Sequence, residues 1–376
     1  MKLGPDFLTI GAVTRSGSGG EPVRIRSRSD VRAARAQRQL ERRRRQRRRL
    51  VPLVVVVVVL VVGLLVWHLV SGGRTTTVAP VTTASTATST TVPPPYVPPP
   101  VAPTIIPAQA GEGQWVTEDP WSPAPPALMT TTFRPDSSQP GVVAYVSWMR
   151  ISTTQLALYP GYKGPGNTTL DRGPEMVPVA ARPNLLATFN SGFYEADAAG
   201  GFYAHGTLYF PMVNGLATVV SYANGTVDIV DWQGGPTPGP TVVMARQNLP
   251  LLVSAGAPAP GSSVGSQWGV TLGGVPAVWR TGLGVDAQGN LIYVAAASQT
   301  AASLARVLIR VGAVRGMQLD INPEWPIFVT YGGPNAAAPS LFVPNPNQVS
   351  NRFLYASTKD FFAVFQKVPG VIGQPW

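Results

Sequence analysis

The sequence predicts an α+β protein: a single β-rich, mixed α/β domain held outside the cytoplasm behind one N-terminal transmembrane helix. Three observations predict it. Glycine and proline, 39 of each among 376 residues, punctuate the C-terminal two-thirds at short intervals, with brief strand-like runs between them. One strong amphipathic helix pattern, Ala301 to Val311, interrupts those runs. One uncharged apolar segment, residues 50–70, precedes them.

Residues 1–49 are rich in Arg, Gly and Ser and read as a disordered tail. The formal net charge of +11 belongs to this end. Residues 1–50 hold 15 basic and 4 acidic side chains, and the remaining 326 hold 14 of each. The body is therefore electrically balanced, and no nucleic-acid partner is expected. The run Arg42 to Arg49 abuts Leu50, which marks the cytoplasmic side and provides a grip on anionic lipid headgroups.

The apolar segment LVPLVVVVVVLVVGLLVWHLV spans residues 50–70. About 20 residues at about 1.5 Å rise match a hydrocarbon layer of roughly 30 Å. It exceeds the roughly 7–15 apolar residues of a cleaved signal peptide, so a retained single-pass anchor in the cell membrane is expected. The N-terminus then lies in the cytoplasm and the C-terminal domain outside. Residues 71–111, dominated by Thr, Pro, Ala and Val, read as an extended linker with a reach on the order of 100 Å at about 3.1 Å per residue. The Thr clusters there are candidate sites of O-linked sugar. High Val, Ala, Arg and Pro usage points to a GC-rich bacterial source.

The globular body is expected over residues 112–376. Strand patterns fall at Val142–Ser147, Gln155–Tyr159, Leu185–Phe189, Thr207–Phe210, Ala217–Tyr222 and Val227–Trp232, with Asn224-Gly225 as a hairpin turn. The stretch Arg280 to Thr330 organises the rest. It holds a strand from Leu291, a Ser298-Gln-Thr300 cap, the helix, the stop at Gly312 and a buried strand, Met317 to Asp320. A weaker helix is expected near Asp360 to Gln366. The sequons Asn167-Thr-Thr and Asn224-Gly-Thr match a common chance pattern.

With no cysteine, disulfides, thiolate nucleophiles and sulfur-based zinc sites are excluded. No Gly-x-Ser-x-Gly elbow, P-loop or dinucleotide fingerprint occurs. Three clusters carry polar groups where a strand ends. Asn190-Ser-Gly192-Phe-Tyr194, with Glu195 and Asp197 behind it, presents an amide beside a glycine; a backbone-capping turn is the plainer reading. Trp279-Arg280-Thr-Gly-Leu-Gly284 sets a guanidinium among glycines that admit a phosphate, or is an ordinary arginine flanking a strand. Asp320-Ile-Asn322-Pro-Glu324-Trp325 ends an apolar strand in a carboxylate, which is costly unless paired, metal-bound or functional. His205, the one histidine outside the anchor, is either structural or a substrate contact.

In their order and spacing, the Asn-x-Gly-Phe-aromatic segment, the Arg-Thr-Gly-x-Gly strand, the helix and the Leu-Asp strand end resemble the phosphodiester glycosidase family, whose domains are similar to the enzyme that removes N-acetylglucosamine from a phosphodiester. The resemblance covers roughly Val142 to Tyr331. It implies a hydrolase of a sugar-1-phosphodiester, with Asn190, Gly192, Arg280 and Asp320 as site members. It also departs: where such proteins continue Leu-Asp-Gly-Gly, this chain reads Leu319-Asp-Ile-Asn-Pro-Glu-Trp325.

Under this reading Asp320 acts on the anomeric carbon, Glu324 is the second choice, and Arg280 neutralises the phosphate, with a divalent cation as a candidate helper. Asn190, Gly192, Tyr194, His205, Asn322 and Trp325 are the expected substrate contacts, and a cell-envelope glycan the expected substrate. The alternative is a catalytically inactive glycan-binding or structural envelope domain, with Trp268, Trp279 and Trp325 stacking on sugar rings.

Overall fold

The computed structural model describes residues 95–119, 125–198, 200–269 and 274–368. The expected basic tail and the membrane anchor at 50–70 lie outside these residues. Among the described residues, no helix is long and apolar enough to cross a membrane.

In chain order the elements are β1 (Val116–Thr117), β2 (Leu128–Phe133), β3 (Ala144–Met149), β4 (Thr154–Tyr159), β5 (Leu185–Asn190), α1 (Glu195–Ala198), β6 (Phe202–Ala204), β7 (Thr207–Phe210), β8 (Ala217–Tyr222) and β9 (Val227–Asp231). There follow β10 (Val242–Gln247), β11 (Val253–Ser254), β12 (Ala257–Pro258), β13 (Val278–Val285), β14 (Leu291–Gln299), α2 (Ala301–Arg310), β15 (Arg315–Gln318), β16 (Phe328–Gly333), β17 (Ala337–Leu341) and β18 (Phe361–Gln366). They form three antiparallel sheets. One has the order β1-β2-β3-β14-β13-β15-β11-β12, the second β7-β6-β10-β8-β9, and the third β17-β16-β5-β18-β4. The β-rich class expected from Gly/Pro punctuation is the class observed.

One core joins all three sheets. Leu283, Tyr293 and Met317 of the first meet Phe202, Val219 and Met244 of the second and Phe189, Phe328 and Phe362 of the third. A second cluster lies between the first sheet and α2, which buries Leu304, Ala305, Val307 and Leu308. Thr300 caps α2: its hydroxyl accepts from the Ser303 amide, and the Ser303 hydroxyl accepts from the Thr300 amide. Gly312, at φ +98°, ends the helix.

The glycines of β13 exist for this packing. A Cβ on Gly284 would stand 2.7 Å from Ala313 Cβ, and one on Gly282 would stand 3.1 Å from Leu308 Cδ1. They admit α2 rather than a phosphate.

The segment Phe361–Gln366, expected as a weak helix, is instead the strand β18. Phe361, Ala363 and Phe365 enter an outer cluster with Tyr159 and Phe353, while Phe362 and Val364 enter the shared core. A strand buried on both faces loses its polar alternation and reads as a featureless apolar run. Residues 95–111, assigned to the linker by composition, lie against the domain. Val101 is buried and exchanges a backbone bond with Gly113, and Arg134 pairs with buried Glu112 while donating to the carbonyls of Ile105 and Pro107.

Candidate functional site

Strand polarity brings distant segments to one end of the sheets. β18 is antiparallel to β5, so Phe361 faces Asn190, and the residues just before β18 meet those just after β5. The amide of Leu319, just past β15, bonds Thr281 of β13, and the Asp320 amide bonds the Ser191 carbonyl. A cleft of about 480 Å³ opens there, walled by Phe193, Tyr194, Ile321, Pro323 and Trp325, with Asp320 and Lys359 reaching into it.

Asp320 is 3% exposed, yet it lines this open cleft. Its Oδ2 accepts from Lys359 Nζ at 2.7 Å, and its Oδ1 accepts from the Asn322 amide at 2.9 Å. Burial pushes its carboxyl above the ordinary carboxylate range, Lys359 and the Asn322 amide oppose that, and neighbouring Asp360 adds to it. The Lys359 ammonium also stands 3.8 Å from the centre of the Tyr194 ring and 5.7 Å from that of Trp325, which places a cation between two aromatic walls. Arg352 backs Trp325 at 5.0 Å, and burial pulls its guanidinium below its usual value. Burial, and then the charges of Asp360 and Asp320, push the Tyr194 phenol up.

A second ion pair braces the floor. Arg246 Nε donates to Asp360 Oδ2 at 2.9 Å, and its remaining nitrogens donate to the carbonyls of Gln247 and Phe193, which fixes the Phe193 wall. Gly192 is part of this packing, since a Cβ there would stand 3.2 Å from the amide of Asn248.

The other sequence candidates sort clearly. Tyr194, Asn322 and Trp325 line the cleft, and Asp197, noted beside Tyr194 in the sequence, is at its rim. Asn190 lies beneath it. The Asn190 amide donates to Thr281 Oγ1 and to the Ser191 carbonyl, and accepts from the Tyr293 hydroxyl and the Ile327 amide. It ties four strands together and has no capacity left for a ligand. Thr281 Oγ1 in turn donates to the Asp320 carbonyl at 2.7 Å, so Asn190 positions the Asp320 loop through one hydroxyl.

Arg280 is also buried and does not line the cleft. Its guanidinium donates to the carbonyls of Gln299, Trp268 and Pro276 and to Gln318 Oε1, and burial lowers its pKa to about 10. It staples the cleft rim to β14 and β15. Glu324 is exposed and outside the lining; its amide closes the turn on Asn322. His205 sits at φ +53° in the β6–β7 turn against Tyr159, outside the cleft, and burial lowers its pKa to about 4.

Of the three tryptophans, Trp325 lines the cleft. Trp268 is fully buried, and Trp279 lines a separate 180 Å³ pocket beyond Pro323. Among the described residues, no three His, Asp or Glu side chains converge to hold a metal ion.

Lys359, Arg352 and the Arg246–Asp360 pair are residues of the candidate functional site that did not stand out in the sequence. A signal was present: Lys359-Asp360 directly precedes the wholly apolar run Phe361–Phe365, as Asp320 directly follows the strand end Met317-Gln318-Leu319.

No family model matches the sequence, and no curated protein matches it. Solved structures that resemble the chain include the catalytic domain of zebrafish N-acetylglucosamine-1-phosphodiester alpha-N-acetylglucosaminidase, auto-inhibited by its pro-peptide. That match has TM-score 0.43 and 17% identity, covering 68% of this chain and 87% of that one. A Synechocystis protein matches at TM-score 0.35 and 12% identity, over 64% and 62% of the two chains. A Burkholderia pseudomallei protein matches at 0.33 and 14%, over 60% and 74%. These are distant likenesses of structure alone.

Proposed function

We propose that the domain is a hydrolase of a sugar-1-phosphodiester, and that the cleft around Asp320 is its active site. One observation carries the reading: a carboxylate nine-tenths buried faces an open cleft, with an ammonium held against it and aromatic rings on both sides. Aromatic faces cover sugar rings, and a cation in a partly dry cleft selects an anionic group. A buried carboxylate at that position is suited to an electron-poor anomeric carbon.

In this reaction the bond between the anomeric carbon and the phosphate oxygen breaks. Its electron pair leaves with the phosphate monoester, water supplies the hydroxyl that replaces it, and the remaining proton of that water passes to the departing phosphate or to solvent. The leaving group is already a stable anion, so neutralising its charge matters more than protonating it. Lys359 takes the role first given to Arg280, and Arg352 supports it behind Trp325. A phosphate that draws Lys359 Nζ away from Asp320 leaves the carboxylate with the Asn322 amide alone, and so more nucleophilic as substrate arrives. Asp197 at the rim replaces Glu324 as the second carboxylate of the cleft.

The second reading, a glycan-binding domain without catalysis, draws on the fact that both Asp320 oxygens are already bonded. Incubating the full chain with a GlcNAc-1-phosphodiester separates the two. Free sugar appearing with time supports hydrolysis, whereas ligand recovered intact from a saturable complex supports binding. A cell-envelope glycan as natural substrate, and a membrane-anchored location, belong to the same proposal.

A further inference from the structure

β18 begins beside the cleft at Lys359-Asp360-Phe361 and runs roughly 20 Å, at about 3.4 Å per residue, to Gln366 and Lys367. At that far end a second cavity, of about 550 Å³, opens between the β8–β9 turn at Asn224-Gly225 and the β13–β14 turn at Gln288-Gly289. Arg150, Lys367 and exposed Ser152 line it.

Arg150 is 5% exposed. Its Nε donates to the Pro126 carbonyl at 2.9 Å, and its Nη2 is buried with no hydrogen-bond partner among the described residues. Its guanidinium carbon stands 4.9 Å from the centre of the Trp148 ring. Lys367 Nζ donates to the carbonyl of Ile151, next to Arg150, at 2.7 Å and to that of Gly225 at 3.4 Å.

Among the described residues, neither cation has a carboxylate within ion-pair distance. The two nearby carboxylates are occupied. Asp119 accepts from the amides of Ala127 and Leu128, and Asp286 from the Trp148 indole, the Gln288 amide and Asn290. Burial pulls both Arg150 and Lys367 below their usual values, and at Arg150 the charges of Asp119 and Asp286 oppose that without cancelling it. A buried and a half-buried cation, both bonded to neutral oxygens beside an open cavity, form an arrangement that an anion stabilises.

We propose that this cavity is an anion-binding site, in which Arg150 and Lys367 hold a phosphate or carboxylate group between them. The inference is independent of the hydrolase reading. The group is either a soluble anion or the headgroup of an anionic lipid.

The test is calorimetric titration of the full chain with inorganic phosphate, in phosphatidylcholine vesicles and in phosphatidylglycerol vesicles. In phosphatidylcholine, wild type binds phosphate. Lys367→Gln and Ser152→Glu each remove one equivalent or weaken it at least about tenfold, as expected for one lost charge-assisted bond. Ser152→Glu also raises Tm, because the new carboxylate supplies the missing counter-charge from an exposed position that tolerates it. It therefore decides the question even if Lys367→Gln fails to fold. Suppression of the site by phosphatidylglycerol assigns it to a headgroup, and persistence assigns it to a soluble anion. Wild type that binds no phosphate, or that binds it with the same stoichiometry and affinity as both variants, overturns the proposal.

Discussion

Replacing Lys359 by Met removes the counter-charge of Asp320 without opening much space. The ammonium sits 2.7 Å from Oδ2, and the two residues are 5% and 3% exposed, so the pair is largely shielded from bulk water although it borders the cleft. Breaking a buried pair from one side typically costs about 3–5 kcal/mol, because the remaining charge is stranded. At roughly 2–4 °C per kcal/mol for a domain of this size, Tm at pH 7 falls by about 10 °C.

The cost depends on pH, with a definite sign. Burial already raises the Asp320 pKa above 3.8, and without Lys359 nothing but the Asn322 amide opposes that. A carboxyl whose folded pKa is raised favours the folded state below its unfolded value, and that contribution is lost as pH rises through the folded pKa. Lys359→Met is therefore most destabilised at neutral pH and recovers on acidification. The double variant Lys359→Met/Asp320→Asn, with no stranded charge, is less destabilised at pH 7 than Lys359→Met alone. Thermal unfolding of the four proteins at pH 5 and pH 7 gives the cycle. A Lys359→Met loss below about 1 kcal/mol, or one that does not change with pH, refutes the reasoning.

Two further outcomes follow from the buried groups outside the cleft. His205 titrates near 6.5 when unfolded and at about 4 in the fold, so the unfolded state binds the extra proton between those values. Stability drops by about 3 kcal/mol as pH falls across that window, and His205→Asn, which suits the φ of +53°, flattens the drop in a pH series of denaturant midpoints. Arg280→Lys cannot fork to four acceptors, and each buried carbonyl left unpaired costs about 1–3 kcal/mol. Its Tm falls while the KM for a phosphodiester stays at the wild-type value below the transition. A raised KM at unchanged Tm would return Arg280 to the ligand.

What was legible in the sequence is what local chemistry writes there. The α2 helix carries its own cap at Thr300 and stop at Gly312, and the β8–β9 turn carries Asn224-Gly225 with a positive φ at the glycine. Asp320 stood out because a carboxylate rarely ends a strand as apolar as Met317 to Leu319. Lys359 did not stand out, because nothing local ties it to Asp320, 39 positions away. The pairing of β18 with β5 brings them together, and β18 itself was hidden by burial on both faces. Arg280 misled for a related reason: glycines that accommodate a helix and glycines that accommodate a phosphate look alike in a sequence. Asn190 does belong to the site, but as the amide that holds β5, β13, β14 and β16 in place below it.

The most direct measurement is free sugar released from a GlcNAc-1-phosphodiester by the full chain and by its Asp320→Asn variant, both checked for an intact unfolding transition. Asn keeps one oxygen to accept from Lys359 while removing the negative charge. The account predicts steady release by the wild type and at least about a hundredfold slower release by the variant, the scale expected when a carboxylate essential to the chemistry is lost. Equal rates from the two folded proteins would contradict it.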